Sequence, residues 1–153
     1  MNPHNLDCQL RRVLEAFETC LVTPLIGGEF QDWMDRVSKA WAEASSQIHY
    51  HSKHLHPRQY QEIELADPEM LPRIEQLKAE DDSIEQQQDL LNRLVVRLLD
   101  VAPRLEPDER QAENPAALLS DEGIAFINKV RKQEVALQTW FVEAFNRDRG
   151  VAD

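Results

Sequence analysis

The stretch from Pro72 to Leu99, PRIEQLKAEDDSIEQQQDLLNRLVVRLL, leaves this chain few ways to fold. Alternating steps of three and four residues from Ile74 meet Leu77, Asp81, Ile84, Gln88, Leu91, Val95 and Leu98, the apolar seam of a bundle helix. Two of those positions, Asp81 and Gln88, are polar. A carboxylate and an amide aimed into a helical core are costly unless something pairs with them, so they mark either a polar network or a site.

The same periodicity predicts three further helices. The first runs from Asn5 to Leu21 on the stripe Leu6, Leu10, Val13, Phe17 and Cys20 or Leu21, and Thr23-Pro24 with Gly27-Gly28 reverses the chain. The second runs from Glu29 to His56 on Phe30, Trp33, Val37, Ala40 or Trp41, Ala44, Ile48, His51 and Leu55. Pro57 is expected to end it, because the residue before a proline resists the helical conformation. Between Arg58 and Leu71 a connector offers Tyr60, Ile63 and Leu65 to the end of the core, and Asp67-Pro68-Glu69 reads as a cap for the third helix. Asp100 to Leu119, with Pro103, Pro107 and Pro115, reads as an exposed crossing loop, and Ser120 as the start of the last helix. That helix extends to Arg147 on Phe126, Val130, Gln133, Leu137, Trp140 and Ala144. The expectation is one domain over residues 1–153, an all-α, up-and-down antiparallel four-helix bundle, with Trp33, Trp41 and Trp140 in its core. His51, Asp81, Gln88 and Gln133 form its inward polar set.

A formal net charge of -11 argues against a nucleic-acid partner, since no cluster of Lys and Arg is large enough to neutralise a run of phosphates, and it argues equally against anionic membranes. No segment approaches the ~20 apolar residues of a spanning helix, and MNPHNLDCQLRR lacks the basic-then-apolar order of a signal peptide, so a cytoplasmic location is expected. Cys8 and Cys20, twelve residues apart on one helix, would stand ~18 Å apart along its axis, beyond disulfide reach.

Bundle interiors are where carboxylate and imidazole ligands for iron or manganese are assembled from facing helices. Asp81 and Glu85, four residues apart, reach one point, and His51 from the second helix would complete an N/O set for a single divalent metal such as iron. The cluster HYHSKHLH invites a zinc site, but His51 and His54 are its one pair at helical spacing, and a solvated or partner-facing helix end is the expectation. The chain carries no nucleophile elbow, Gly-rich phosphate loop or H-E-x-x-H, so it is not expected to be an enzyme.

Ile48-His49-Tyr50-His51 with the later Tyr60 resembles the pattern L-x-x-H-F-x-x-E-E-x-G-G-Y. The segment LKAEDDSI, beginning at Leu77, is similar to L-x-x-E-H-x-x-I. Gln133-Glu134, followed by WFVEAFNRDRG from Trp140, is similar to H-E-x-x-E followed by L-L-x-E-A-F-x-x-D-x-G. These patterns belong to the hemerythrin-like (HHE cation-binding) bundles, which the chain resembles from Trp33 onward. The resemblance puts His51 at a ligand histidine, Leu55 where a carboxylate is usual, Asp81 and Glu85 at the third-helix histidines and Gln133 at the fourth-helix histidine. It implies a bundle without the di-iron site and without a cofactor, acting as an interaction or regulatory module for a protein partner. Its alternative is a metal-binding or sensing protein, with one divalent metal (iron, manganese or zinc) in a reduced site at His51, Asp81 and Glu85.

Overall fold

The computed structural model describes residues 3–23, 29–104 and 109–150, with side chains described over 7–23, 29–104 and 115–147. Every regular element among them is helical: α1 (Pro3–Val22), α2 (Phe30–Tyr50), a π-helical turn (His51–Leu55), α3 (His56–Ala66), α4 (Leu71–Val101) and α5 (Glu109–Gly150), with short 3-10 turns at Pro68–Met70 and Ala102–Arg104. The π turn joins α2 to α3 without a break in helical backbone, so the described residues make four long rods. No helix among the described residues is long and apolar enough to cross a membrane.

Three expectations about element ends are corrected. Pro57 does not stop the second helix. A proline ring inside an α-helix clashes with the carbonyl four residues back and cannot donate to it, and the wider i→i+5 turn just ahead relieves that conflict. The His56 N–H accordingly reaches the His51 carbonyl, five residues back, and the helix continues to Ala66. The crossing loop is also helix over much of its length, since α5 begins at Glu109 and runs through Pro115, with Ala116 and Leu119 buried beyond it; residues 105–108 lie outside the described part. Ser120 therefore starts nothing, and its hydroxyl instead donates to the Leu21 carbonyl at 3.0 Å. The cap at Asp67 is present, its side chain accepting from the Glu69 N–H at 3.1 Å, while Leu65 points to solvent.

Packing divides the rods into two apolar clusters. The larger joins α1, α2, the later half of α4 and the earlier part of α5, around Phe17, Trp41 and Phe126, whose rings meet at 5.3 and 5.6 Å. Here α1 contacts α2 and α5, and α4 contacts the same two helices, which closes a ring of four. Gly123 brings α5 close against α1: a Cβ there would stand 2.5 Å from Leu21 Cδ1 and 3.4 Å from Phe17 Cζ. The smaller cluster is built by α3, the start of α4 and the end of α5, from Tyr60, Ile63, Met70, Ile74, Leu77, Leu137 and Ala144, with none of the described α1 side chains among them. Trp140 is half-buried beside it, with the Arg73 guanidinium 3.9 Å above its ring.

Between the clusters three of the rods pass through one polar level. α2 leaves the first cluster at Ile48 and α3 enters the second at Tyr60, with His51 and His56 between. On α4 the gap between Leu77 and Ile84 holds Asp81, and on α5 the gap between Val130 and Leu137 holds Gln133 and Glu134.

Candidate metal centre

The π turn brings the two histidines together. Five residues apart on a regular α-helix they would project about 140° from each other, whereas one extra residue in the turn returns the chain to the same face. Both side chains are buried, His51 and His56 each at 2% exposure, and their ring centroids are 6.1 Å apart at an interplanar angle of 87°.

His56 is held from both sides. Its Nδ1 lies 2.8 Å from Asp81 Oδ1 and its Nε2 2.7 Å from Glu134 Oε1. Asp81 also accepts from the Tyr60 hydroxyl at 2.5 Å and from Gln133 Nε2 at 2.7 Å, and the same Gln133 nitrogen lies 3.3 Å from the Leu77 carbonyl. Burial alone would lower the His56 pKa, but the hydrogen bonds and negative charge of Asp81 and Glu134 outweigh it and raise it from 6.5 to about 9. An imidazolium therefore bridges two carboxylates at neutral pH. Burial would likewise raise the Glu134 carboxyl, yet the two imidazoles hold it down at about 2. Burial and the bond to Asp81 push the Tyr60 hydroxyl well above its ordinary range, so it stays a donor.

His51 is less settled. Its Nδ1 stands 3.6 Å from Glu134 Oε1, too long for a hydrogen bond, and its Nε2 is buried with no partner among the described residues. Gln47 Oε1, one turn earlier on α2, is likewise unpartnered. A buried polar atom without a partner costs about 1–3 kcal/mol, so His51 is the member of the group that a bound species would satisfy. One ligand atom from each of His51, His56 and Glu134 lies within 4.8 Å of the others. Two imidazoles and a carboxylate form a donor set that first-row divalent metals accept. Asp81 on the far nitrogen of His56 is the outer carboxylate that fixes tautomer and ring orientation in many metal–histidine sites.

The expected set is thus divided. His51 and Asp81 belong to the polar level, though Asp81 touches the site through His56. Glu85, expected beside them, is about half exposed and pairs with Lys53 at 3.2 Å on the outside of the bundle. Asp81 and Glu85 cannot both face inward because the α4 seam admits Ile84 and leaves Asp82 and Glu85 on the solvent side. Gln88 is half-buried and engaged elsewhere, donating to the carbonyl and hydroxyl oxygens of Ser45 at 2.9 and 2.6 Å. Gln133 is buried where it was expected.

His56 and Glu134 are the members of this candidate site that α-helical spacing misses. The signal for His56 is a histidine immediately before a proline within a stretch that remains apolar and helical beyond it. Glu134 is signalled only by its place next to the seam residue Gln133. His49 and His54 are exposed, and His54 lies against the Tyr50 ring at 5.1 Å. No family model matches this chain, and no curated protein or solved structure matches it either.

Proposed function

We propose that this protein is a hemerythrin-like, up-and-down antiparallel bundle that holds a single divalent metal through His51, His56 and Glu134, and that it works by binding or regulation and not by catalysis. The observation that carries the reading is the convergence of ligand atoms from two buried histidines, His51 and His56, and the half-buried Glu134 to within 4.8 Å of one another, with the His51 Nε2 left without a partner among the described residues. The sequence resemblance supports it as well, because His51, Asp81 and the Gln133-Glu134 pair come from the three segments that carry it.

The residues divide the work. Asp81 holds His56 through Nδ1, which leaves Nε2 to lose its proton and serve as a donor. Tyr60 and Gln133 satisfy the remaining Asp81 lone pairs and keep that carboxylate from turning away. Glu134 supplies the anionic ligand, and its low pKa keeps it ionised throughout the neutral range. When bound, the metal supplies a Lewis-acidic centre in place of the His56 proton.

The test is metal content. Protein purified without an affinity tag, exposed in turn to Fe(II), Mn(II) and Zn(II) and dialysed, should retain one ion per chain for at least one metal. A His56→Ala variant of unchanged helix content should retain none. Substoichiometric metal with all three ions refutes the reading.

That outcome would favour the metal-free interaction module. It has its own support in a groove of about 360 Å³ between α4 and α5, floored by Leu91, Leu94 and Phe126 and flanked by Leu90 and Leu118, which are 61% and 51% exposed.

A further inference from the structure

We propose that the groove between α1, α3 and α5 admits a small, neutral, apolar molecule bearing one nitrogen donor, which completes the coordination of the metal held by His51, His56 and Glu134. This inference rests on the metal reading above and deepens it.

Glu134 belongs to both places: it is one of the three converging donors, and it lines a groove of about 430 Å³. Its side chain is 24% exposed, whereas those of His51 and His56 are 2% and 3% exposed, so the carboxylate is the member of the set that solvent reaches. The other nearby groove, lined by Lys53, Tyr60, Asp81 and Glu85, lies on the Nδ1 side of His56, where Asp81 already occupies the nitrogen. A molecule approaching the Nε2 side therefore comes past Glu134 and along α1.

Three protein donors leave a coordination position open, as in metal sites that take an exogenous ligand. The chemistry of the walls selects what fills it. Leu10, Leu14 and Leu137 provide an apolar floor, and Gln59 and Gln138 are uncharged. At the rim the acids Asp7 and Glu15 face Arg11, while Arg131 is already paired with Glu18, so the entrance holds no surplus positive charge to draw in an anion. Within the site the charge of a divalent ion is balanced by Glu134 and Asp81, so an anionic ligand would add an uncompensated charge to a buried region. A neutral donor with an apolar body meets all three conditions, and the groove lies within the usual ~300–1,000 Å³ of small-molecule sites. An azole nitrogen is the donor that matches the two imidazoles already present.

The experiment uses the full chain loaded with Co(II), whose visible spectrum reports its ligands, titrated at about pH 8 with 4-phenylimidazole, imidazole and hexanoate, the azoles being neutral and the acid ionised there. The expected result is a spectral shift with both azoles, 4-phenylimidazole binding at least about tenfold more tightly because its ring enters the apolar groove, and no shift with hexanoate. Gln138→Trp and Val135→Trp, which place bulk at exposed groove positions, should each weaken 4-phenylimidazole while leaving imidazole and cobalt affinity unchanged. Equal affinity for the two azoles, a shift with hexanoate, or indifference to both tryptophan variants overturns the inference and leaves the metal reading standing. Failure of Co(II) to bind the wild-type chain overturns both.

Discussion

Around Phe17, Trp41 and Phe126 the bundle is filled with aromatic and aliphatic side chains, whereas one level along the rods the same interior holds His51, His56, Asp81, Gln133 and Glu134. The two regions are stabilised by different physics. In the first, each buried square ångström of apolar surface contributes about 25 cal/mol, and the shape of the site decides little beyond its packing. In the second, desolvation of the charged groups consumes most of what their attraction returns, so the level adds little net stability. What it adds is constraint: one imidazole orientation, one register of α4 against α5 and one π turn satisfy the hydrogen bonds of His56, Asp81 and Gln133 together. An apolar layer would serve folding as well, so a polar level at this depth is an argument for binding.

Single substitutions break the comparison most sharply. His56→Ala should destabilise the protein by about 3–5 kcal/mol, because it leaves the buried Asp81 and Glu134 carboxylates without their cation, and it should abolish metal binding. Phe17→Ala should cost a similar ~3–5 kcal/mol through the cavity left in the larger cluster. Metal stoichiometry should survive it. Urea unfolding of the two variants, with metal analysis beside it, checks both halves.

pH separates the regions next. His56 has its pKa raised by folding from 6.5 to about 9, so its contribution is complete below about 6.5 and is lost as pH climbs through 9. At about 1.4 kcal/mol per unit, the metal-free protein should lose about 3 kcal/mol across that interval. Glu134 has its pKa lowered from 4.5 to about 2, so its contribution is present above 4.5 and fades as pH falls toward 2. These are two views of one ion pair and do not add. Denaturant midpoints across the alkaline limb should fall in the wild type and stay nearly level in His56→Ala.

Smaller effects sharpen the boundary of the site. Asp81→Asn should weaken metal binding by about 10–100-fold without eliminating it, since it alters the partner of a ligand and not a ligand. Glu85→Gln should change stability by less than about 0.5 kcal/mol and metal affinity not at all, because its Lys53 pair lies on the surface. Calorimetric metal titration and urea midpoints measure both.

The apolar region was legible from spacing because its residues obey one period throughout. Phe30, Trp33, Val37, Ala44 and Ile48 on α2, and Ile74, Leu77, Ile84, Leu91, Val95 and Leu98 on α4, are all buried as the 3.6-residue repeat predicts. Asp81 and Gln133 were visible by the same means, as polar interruptions of a seam. The second histidine was not, because a π turn changes the period for one turn only, and a constant-period reading sends His56 to the wrong face. Pro57 and Pro115 misled for a related reason. Local rules place helix ends at prolines, but the burial of Tyr60 and Ile63 beyond one, and of Ala116 and Leu119 beyond the other, favours continuing the helix.

The most direct measurement is a calorimetric titration of the metal-free chain with Zn(II) at about pH 7.5, repeated in two buffers of different ionisation enthalpy so that released protons are counted. Binding through His51, His56 and Glu134 predicts one ion per chain and release of about one proton, the one that His56 carries between Asp81 and Glu134. Absence of binding, or binding without proton release that persists in His56→Ala, would contradict a metal centre at this level of the bundle.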